Sequence, residues 1–213
     1  QPKKVVINFN KKKLSIVVPP DIHFPHIMYE VFVSEDYKVD FNGKPHCILD
    51  VGANCGLAAL YFATSFPNAT IHALEPSVEN FKYLEANTQS FSNIHIHKIG
   101  LFSRQGTTLL YLQESGCENS LFKKNNHFED IQITTLDNFM RKHQIGRADL
   151  IKIDVEGAEE GILVPSQSLQ NIDFIVGELH TKLINKDNVL KALDPYFNYI
   201  CMSHDPHLNI IKA

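Results

Sequence analysis

A short apolar run, Cys47-Ile48-Leu49-Asp50-Val51, passes directly into Gly52-Ala53-Asn54-Cys55-Gly56 and then into the apolar stretch from Leu57 to Phe66. No other feature restricts the fold as strongly. A short apolar run closed by glycine reads as a strand buried on both faces, which a parallel sheet needs. The stretch after the loop reads as a helix stopped by Pro67-Asn68. The unit then repeats. Thr70 to Leu74 is a second strand, and Glu75-Pro76-Ser77 turns into a helix with Val78, Phe81 and Leu84 on one face. Asn93 to Ile99 is a third strand and Thr107 to Leu112 an extra one, followed by a polar loop to about Asp130. Ile131-Gln132-Ile133 leads into a helix near Leu136 to His143. Asp149 to Val155 is a fourth core strand, closed by Glu156-Gly157, and Asp173 to Leu179 is a fifth. A last helix is expected over Lys186 to Leu193, with Phe197 to Met202 and Leu208 to Lys212 as a closing hairpin. Alternation at this spacing predicts an α/β fold: a mostly parallel sheet, helices on both faces and an antiparallel edge. In such sheets the ligand lies beyond the carboxyl ends of the strands, at the switch point of the strand order.

Ahead of this unit, Val5-Val6-Ile7 and Leu14 to Val18 read as a hairpin ended by Pro19-Pro20, and His26 to Val39 as a weakly periodic helix. No repeat or linker-like tract divides the chain. Residues 1–46 therefore form an N-terminal appendage to a domain spanning 47–213, within one structural domain overall. Twenty basic against 24 acidic residues argue against a nucleic-acid partner held by bulk charge. Lys3, Lys4, Lys11, Lys12 and Lys13 form the one basic cluster, expected on a solvated hairpin. No apolar stretch is long enough to span a membrane, and the Lys-rich start is unlike a signal peptide. Gln1 in place of Met suggests that a preceding segment has been removed. Four scattered cysteines without a CxxC pair fit a reducing compartment, so the expected location is cytoplasmic.

The glycine loop at a strand–helix junction suits a negatively charged or closely approaching ligand, because the helix start offers free amides. Glu75 ends the second strand 23 residues after Gly52, where an acid can accept both hydroxyls of a ribose. A dinucleotide fingerprint is absent: the positions for G-x-G-x-x-G hold Gly52, Asn54 and Leu57. The string Asp50-Val51-Gly52-Ala53-Asn54-Cys55-Gly56 instead resembles the S-adenosylmethionine loop of class I methyltransferases, and more narrowly the FkbM type. Asp154-Val155-Glu156-Gly157-Ala158-Glu159 after the fourth strand resembles a hallmark of that family, and Glu75-Pro76-Ser77 is a third match. The three span about residues 47–180.

The resemblance implies the Rossmann-like class I methyltransferase sheet and S-adenosyl-L-methionine as cofactor. It implies Gly52, Ala53, Asn54 and Gly56 around the methionine part, Asp50 beneath the loop or near the amino group, and Glu75 on the ribose. Pro76, Ser77 or Asn80 would complete that rim, and Gly100-Leu101 would lie near adenine. Asp154 is expected against cofactor or substrate. Glu178 and His180 alternate onto one face at the end of the fifth strand, and with Asp154 they are the expected catalytic residues. His180 is the expected base, since its ordinary pKa is near neutrality, and Glu178 would orient it. Two carboxylates without a third acid speak against a metal, so none is expected. Lys152 on the fourth strand is either a site residue or half of a buried pair with an acid on a neighbouring strand. Glu156 faces the pocket or caps the next helix, where Glu159 and Glu160 suit the dipole. Tyr37 resembles an aromatic found ahead of the family's loop, and Asn119-Ser120 are placed toward substrate. The other histidines, among them His23, His26, His95 and His97, are expected on the surface or in the sheet. The implied activity is methyl transfer to a hydroxyl of a small molecule or saccharide, with N-methylation or a catalytically silent binding domain as alternatives. Oligomeric state is left open.

Overall fold

The computed structural model describes residues 3–41, 43–198, 201–202 and 209–212, the last two groups by backbone alone. The strands are β1 (Lys4–Phe9), β2 (Lys12–Val17), β3 (Cys47–Val51), β4 (Thr70–Leu74), β5 (Ile94–His97), β6 (Gly100–Leu101), β7 (Gly106–Tyr111), β8 (Phe128–Thr134), β9 (Ala148–Ile153), β10 (Ile172–Leu179), β11 (Cys201–Met202) and β12 (Asn209–Lys212). The helices are α1 (Phe24–Tyr29), α2 (Leu57–Ser65), α3 (Val78–Thr88), α4 (Leu136–Lys142), α5 (Glu159–Leu163) and α6 (Lys186–Leu193). Among the described residues no helix is long and apolar enough to cross a membrane.

The main sheet runs β11-β12-β10-β9-β3-β4-β5. From β10 to β5 every neighbour is parallel, while β12 joins β10 and β11 antiparallel, as the alternation predicted. Succession runs outward from β3 through β4 to β5 and then resumes on the other side at β9. The switch point therefore falls between β3 and β9, where the glycine loop leaves the sheet. Ile48, Leu49, Leu150, Ile151 and Ile153 are all fully buried, which explains the uninterrupted apolar runs of these two strands. One core lies on each face: Leu60, Phe62 and Leu84 on one side, Leu136, Phe139 and Ile162 on the other.

A small sheet, β6-β8-β7, carries the extra strand. Its central member β8 begins at Phe128, inside what the polar composition suggested was loop, because β7 pairs with it across six registers. The N-terminal hairpin packs into the same core as α2 and α3 through Leu14 and Ile16. Asn87 of α3 holds it: its Oδ1 accepts from Val17 N–H at 2.6 Å, and its Nδ2 donates to the carbonyl oxygens of Val17 at 3.2 Å and Cys55 at 2.8 Å. Lys3, Lys4, Lys11, Lys12 and Lys13 are exposed on or beside this hairpin. The helix expected over 26–39 is shorter. After Tyr29 the chain loosens into a π-turn over Glu30–Ser34 and ends with Glu35 at φ 54°. The expected strand over Phe197 to Met202 is present at Cys201–Met202; Phe197 and Asn198 are not in a strand, and Tyr199, Ile200 and Leu208 of the next lie outside the described residues.

Candidate active site

A cavity of about 290 Å³ opens at the carboxyl ends of β3, β4, β9 and β10. Gly52, Ala53 and Asn54 form one wall, Glu75 and Pro76 the next, and Gly100 and Leu101 a third. The loop conformation is demanded by the protein around it. Gly52 has φ +80°, and a Cβ there would lie 1.8 Å from the carbonyl oxygen of Asp154. Gly56 has φ +91°, and its Cβ would meet Leu84 Cδ1 at 2.9 Å. Both glycines thus let the loop nest against Asp154, just past β9, and against α3, in addition to the sharp turn and the approach to a ligand that the sequence suggested.

Glu75 is 5% exposed, and its two oxygens accept from the backbone amides of Asn54 and Ser77, each at 2.8 Å. The acid therefore shapes the glycine loop from the neighbouring strand. Burial pushes its carboxyl up to about 7, although the two amides pull it down. Asp50 and Ser77 stand behind the cavity wall, 0% and 1% exposed. Asn80 lines the cavity and donates to the carbonyl oxygen of Gly116 at 2.9 Å.

Lys152 joins the loop to the far end of the cavity. It is 3% exposed, and its Nζ donates to Gly52 O at 2.7 Å, with Asp50 Oδ1 at 3.4 Å and Asp154 Oδ2 at 3.7 Å. Its ammonium also lies 5.3 Å from the centroid of the Tyr37 ring. Burial alone lowers a lysine pKa; here Asp50 and Asp154 outweigh it and hold the ammonium charged. It is both a buried ion-pair partner, to an acid on the adjacent strand, and part of the cavity wall.

At the far end Asp154, Glu178, Glu30 and Tyr37 face the cavity together. The Tyr37 hydroxyl donates to Asp154 Oδ2 at 3.4 Å. Burial, reinforced by Asp154, pushes the Glu178 carboxyl up to about 9. His180 is close by, but Glu178 does not orient it. Its Nδ1 lies 2.7 Å from Glu159 Oε1 and its Nε2 3.3 Å from Glu156 Oε1. Burial lowers the imidazole, and the hydrogen bonds to Glu156 and Glu159 reverse this and raise it to about 11. An imidazolium has no lone pair for a proton, so the expected role of His180 as free base does not fit this arrangement. Glu156, at φ +50°, turns toward the cavity and pairs with Lys123 Nζ at 2.7 Å. Asn119 lines the cavity, whereas Ser120 is fully buried and donates to Glu156 O at 2.6 Å.

The roof escaped sequence reasoning. His23, His26, Ile27 and Glu30 border the cavity; the two histidines are exposed, as expected of surface residues, and stand at its rim. Asp21 fastens this stretch to the loop after β7. Its carboxylate accepts from Ser115 Oγ at 2.8 and 2.9 Å, from Cys117 N–H at 3.3 Å and from His23 N–H at 2.8 Å. His95 and His97 are in the sheet, as expected.

The comparisons with known proteins agree with this geometry. The "Methyltransferase FkbM domain" model matches residues 50–210. "Methyltransferase 1" of Beauveria bassiana is 26% identical over 185 residues, covering 75% of this chain and 74% of its own. "Hexuronic acid methyltransferase AglP" of Haloferax volcanii is 25% identical over 140 residues, covering 65% and 57% respectively. Among solved structures, Aeropyrum pernix fibrillarin, with natively bound S-adenosyl-L-methionine, shares the fold. It has a TM-score of 0.54 at 14% identity, covering 99% of this chain and 82% of its own. A glycine loop bent over the Asp154 carbonyl and clasped by a strand-end glutamate fits the same cofactor, and this chain belongs to the FkbM family of S-adenosylmethionine-dependent methyltransferases.

Proposed function

We propose that the chain methylates a hydroxyl group of a small molecule or saccharide, and that Asp154, Glu178 and His180 make up the acceptor end. The observation that carries this reading is the convergence of Asp154 and Glu178, from neighbouring strand ends, on the part of the cavity beyond the glycine loop. The carboxyl oxygens of Asp154 and Glu178 can accept hydrogen bonds there, which suits an acceptor that donates them. The hexuronic acid named for AglP supports a sugar. In the reaction the hydroxyl oxygen forms a bond to the methyl carbon while the carbon–sulfur bond breaks. Its electron pair goes to sulfur, giving S-adenosylhomocysteine, and the hydroxyl proton leaves to solvent. Gly52, Ala53, Asn54, Glu75, Pro76, Gly100 and Leu101 are the donor side of this reading, with Asp50, Gly56 and Ser77 supporting from behind. Cys47, Cys55 and Cys117 are free thiols, which supports a cytoplasmic location.

The test is transfer of labelled methyl from S-adenosylmethionine to matched panels of glycosides, other alcohols and amines. Label in ethers of the hydroxylated panel is expected. Label confined to amines would replace the reading with N-methylation, and tight cofactor binding without transfer to any panel would favour a silent domain.

A further inference from the structure

We propose that Asp154, Glu178 and His180 bind one divalent cation at the acceptor end of the cavity, with Glu159 holding the histidine ring for it. The proposal rests on the O-methylation reading for what the cation does, and on geometry for where it binds. One oxygen of each acid and one ring nitrogen of His180 all lie within 4.8 Å of one another. Small side-chain adjustments bring atoms this close round a single ion at the roughly 2.0–2.5 Å such ligands take. Asp154 follows β9 and Glu178 ends β10, two strands paired in parallel, so the ligands stand on a rigid base. The contacts of Asp154 with Tyr37 and Lys152 both fall on Oδ2, and Oδ1 takes neither. The Glu178 side chain faces the cavity and makes no hydrogen bond among the described residues.

An independent observation lies behind the histidine. Nδ1 of His180 is held at 2.7 Å by Glu159, whose carboxylate is 0% exposed and also accepts from Gly157 N–H at 3.1 Å. Ligating histidines characteristically hold the second ring nitrogen against a carboxylate, which fixes the ring and makes the other nitrogen a better donor. That other nitrogen, Nε2, points away from Glu159 toward Glu156 on the cavity wall. The ion would replace the Nε2 proton and the proton of the Glu178 carboxyl, and both leave to solvent. Two hard oxygens with one imidazole suit Mn²⁺ or a similar ion better than Ca²⁺, which takes oxygen ligands. Bound there, it would supply Lewis acidity that lowers the pKa of an acceptor hydroxyl.

The experiment is Mn²⁺ titration of the dialysed chain, followed by loss of the free-ion EPR signal, with no methyl donor and no acceptor present. One ion per chain is expected. Asp154→Asn and Glu178→Gln should each weaken binding at least about tenfold, and Glu159→Gln about 10–100-fold although it touches no ion. A cooperative thermal melt selects variants that have kept the fold, and at least one folded ligand variant is needed for the comparison; His180→Asn serves if the acids do not tolerate change. Absence of binding at millimolar Mn²⁺, or equal binding by a folded ligand variant, would overturn the site. The two readings fail separately. Mn²⁺ binding without any methylated hydroxyl retires O-methylation and keeps the site, whereas hydroxyl methylation by a chain that binds no Mn²⁺ retires the site alone.

Discussion

Lys152 and Asp50 face each other in register across β3 and β9, their charged atoms 3.4 Å apart and both side chains nearly inaccessible to water. Neither Asp50 oxygen has a hydrogen bond, so the ammonium is its main compensation. The same ammonium also fixes Gly52 O at 2.7 Å. Lys152→Met should therefore cost about 3–5 kcal/mol, because it leaves an uncompensated charge in the core. Asp50→Asn combined with Lys152→Met should recover a large part of that loss. Urea unfolding of the two variants checks this; equal instability would mean that the pair is not coupled.

Glu75 predicts a pH-dependent cofactor affinity. Its folded pKa of about 7 stands above the ordinary 4.5, so its contribution to stability without cofactor is fully present below pH 4.5. That contribution is lost as pH rises through 7. Ribose hydroxyls donate to the ionised form, so binding of S-adenosylmethionine should tighten between about pH 6 and 8. Glu75→Gln should weaken binding by one or more orders of magnitude and flatten the profile. Calorimetry at three pH values decides, and an unchanged profile in the variant would remove Glu75 from ribose recognition.

Gly52→Ala should be among the most damaging single changes. Backbone at φ +80° disfavours any side chain, and the new Cβ would sit inside the Asp154 carbonyl. Strain alone costs roughly 1–3 kcal/mol, and the clash must add to it by parting the loop from β9. Loss of the cooperative melt is expected; a variant as stable as the parent would contradict the packing described for the loop.

Histidines make the opposite edge of the sheet sensitive to acid. His72 Nδ1 and His97 Nε2 are 3.0 Å apart, with Phe139 and His143 packed against their rings. Burial, followed by neighbouring histidines, pushes His72 down to about 4 and His97 to about 3. Folded values below the ordinary 6.5 mean that their stability contribution is present above pH 6.5 and lost as pH falls through 4 and 3. Thermal melts should therefore decline over that range, and more gently for His72→Gln/His97→Gln relative to its own value at pH 7.

Release of the cofactor should depend on Asp21. Its carboxylate ties the roof to the loop at Ser115 and Cys117, and hydrogen bonds to a charged group are worth about 1.5–3 kcal/mol each. Asp21→Ala should raise the dissociation rate of S-adenosylhomocysteine at least about tenfold in stopped-flow measurements. An unchanged rate would mean that exchange does not pass through the roof.

What could be read from the residues follows from the range of the forces involved. β3, β9 and α6 are announced by local patterns, apolar runs closed by glycine and a polar-capped amphipathic turn, so their placement was legible. Glu75 was legible because its position is tied to strand ends by chain length. The partners of His180 were not: Glu159 lies 21 residues away and reaches it only because β9 and β10 are neighbours. Counting acids near Asp154 and Glu178 overlooked this carboxylate, since helix-start acids already had a sufficient role in the dipole. The π-turn at Glu30 carries no periodic signal of its own, and Asp21 finds Ser115 across 94 residues.

The roof also bears on how the cavity is assembled. His23, His26, Glu30 and Tyr37 border the cavity yet precede residue 50, where the likeness to the FkbM domain begins. The cavity is therefore walled by two stretches of chain, one inside the matched domain and one ahead of it, joined through contacts such as Asp21 with Ser115 and Tyr37 with Asp154. Substitutions ahead of residue 50 can thus reshape the cavity wall without touching the glycine loop.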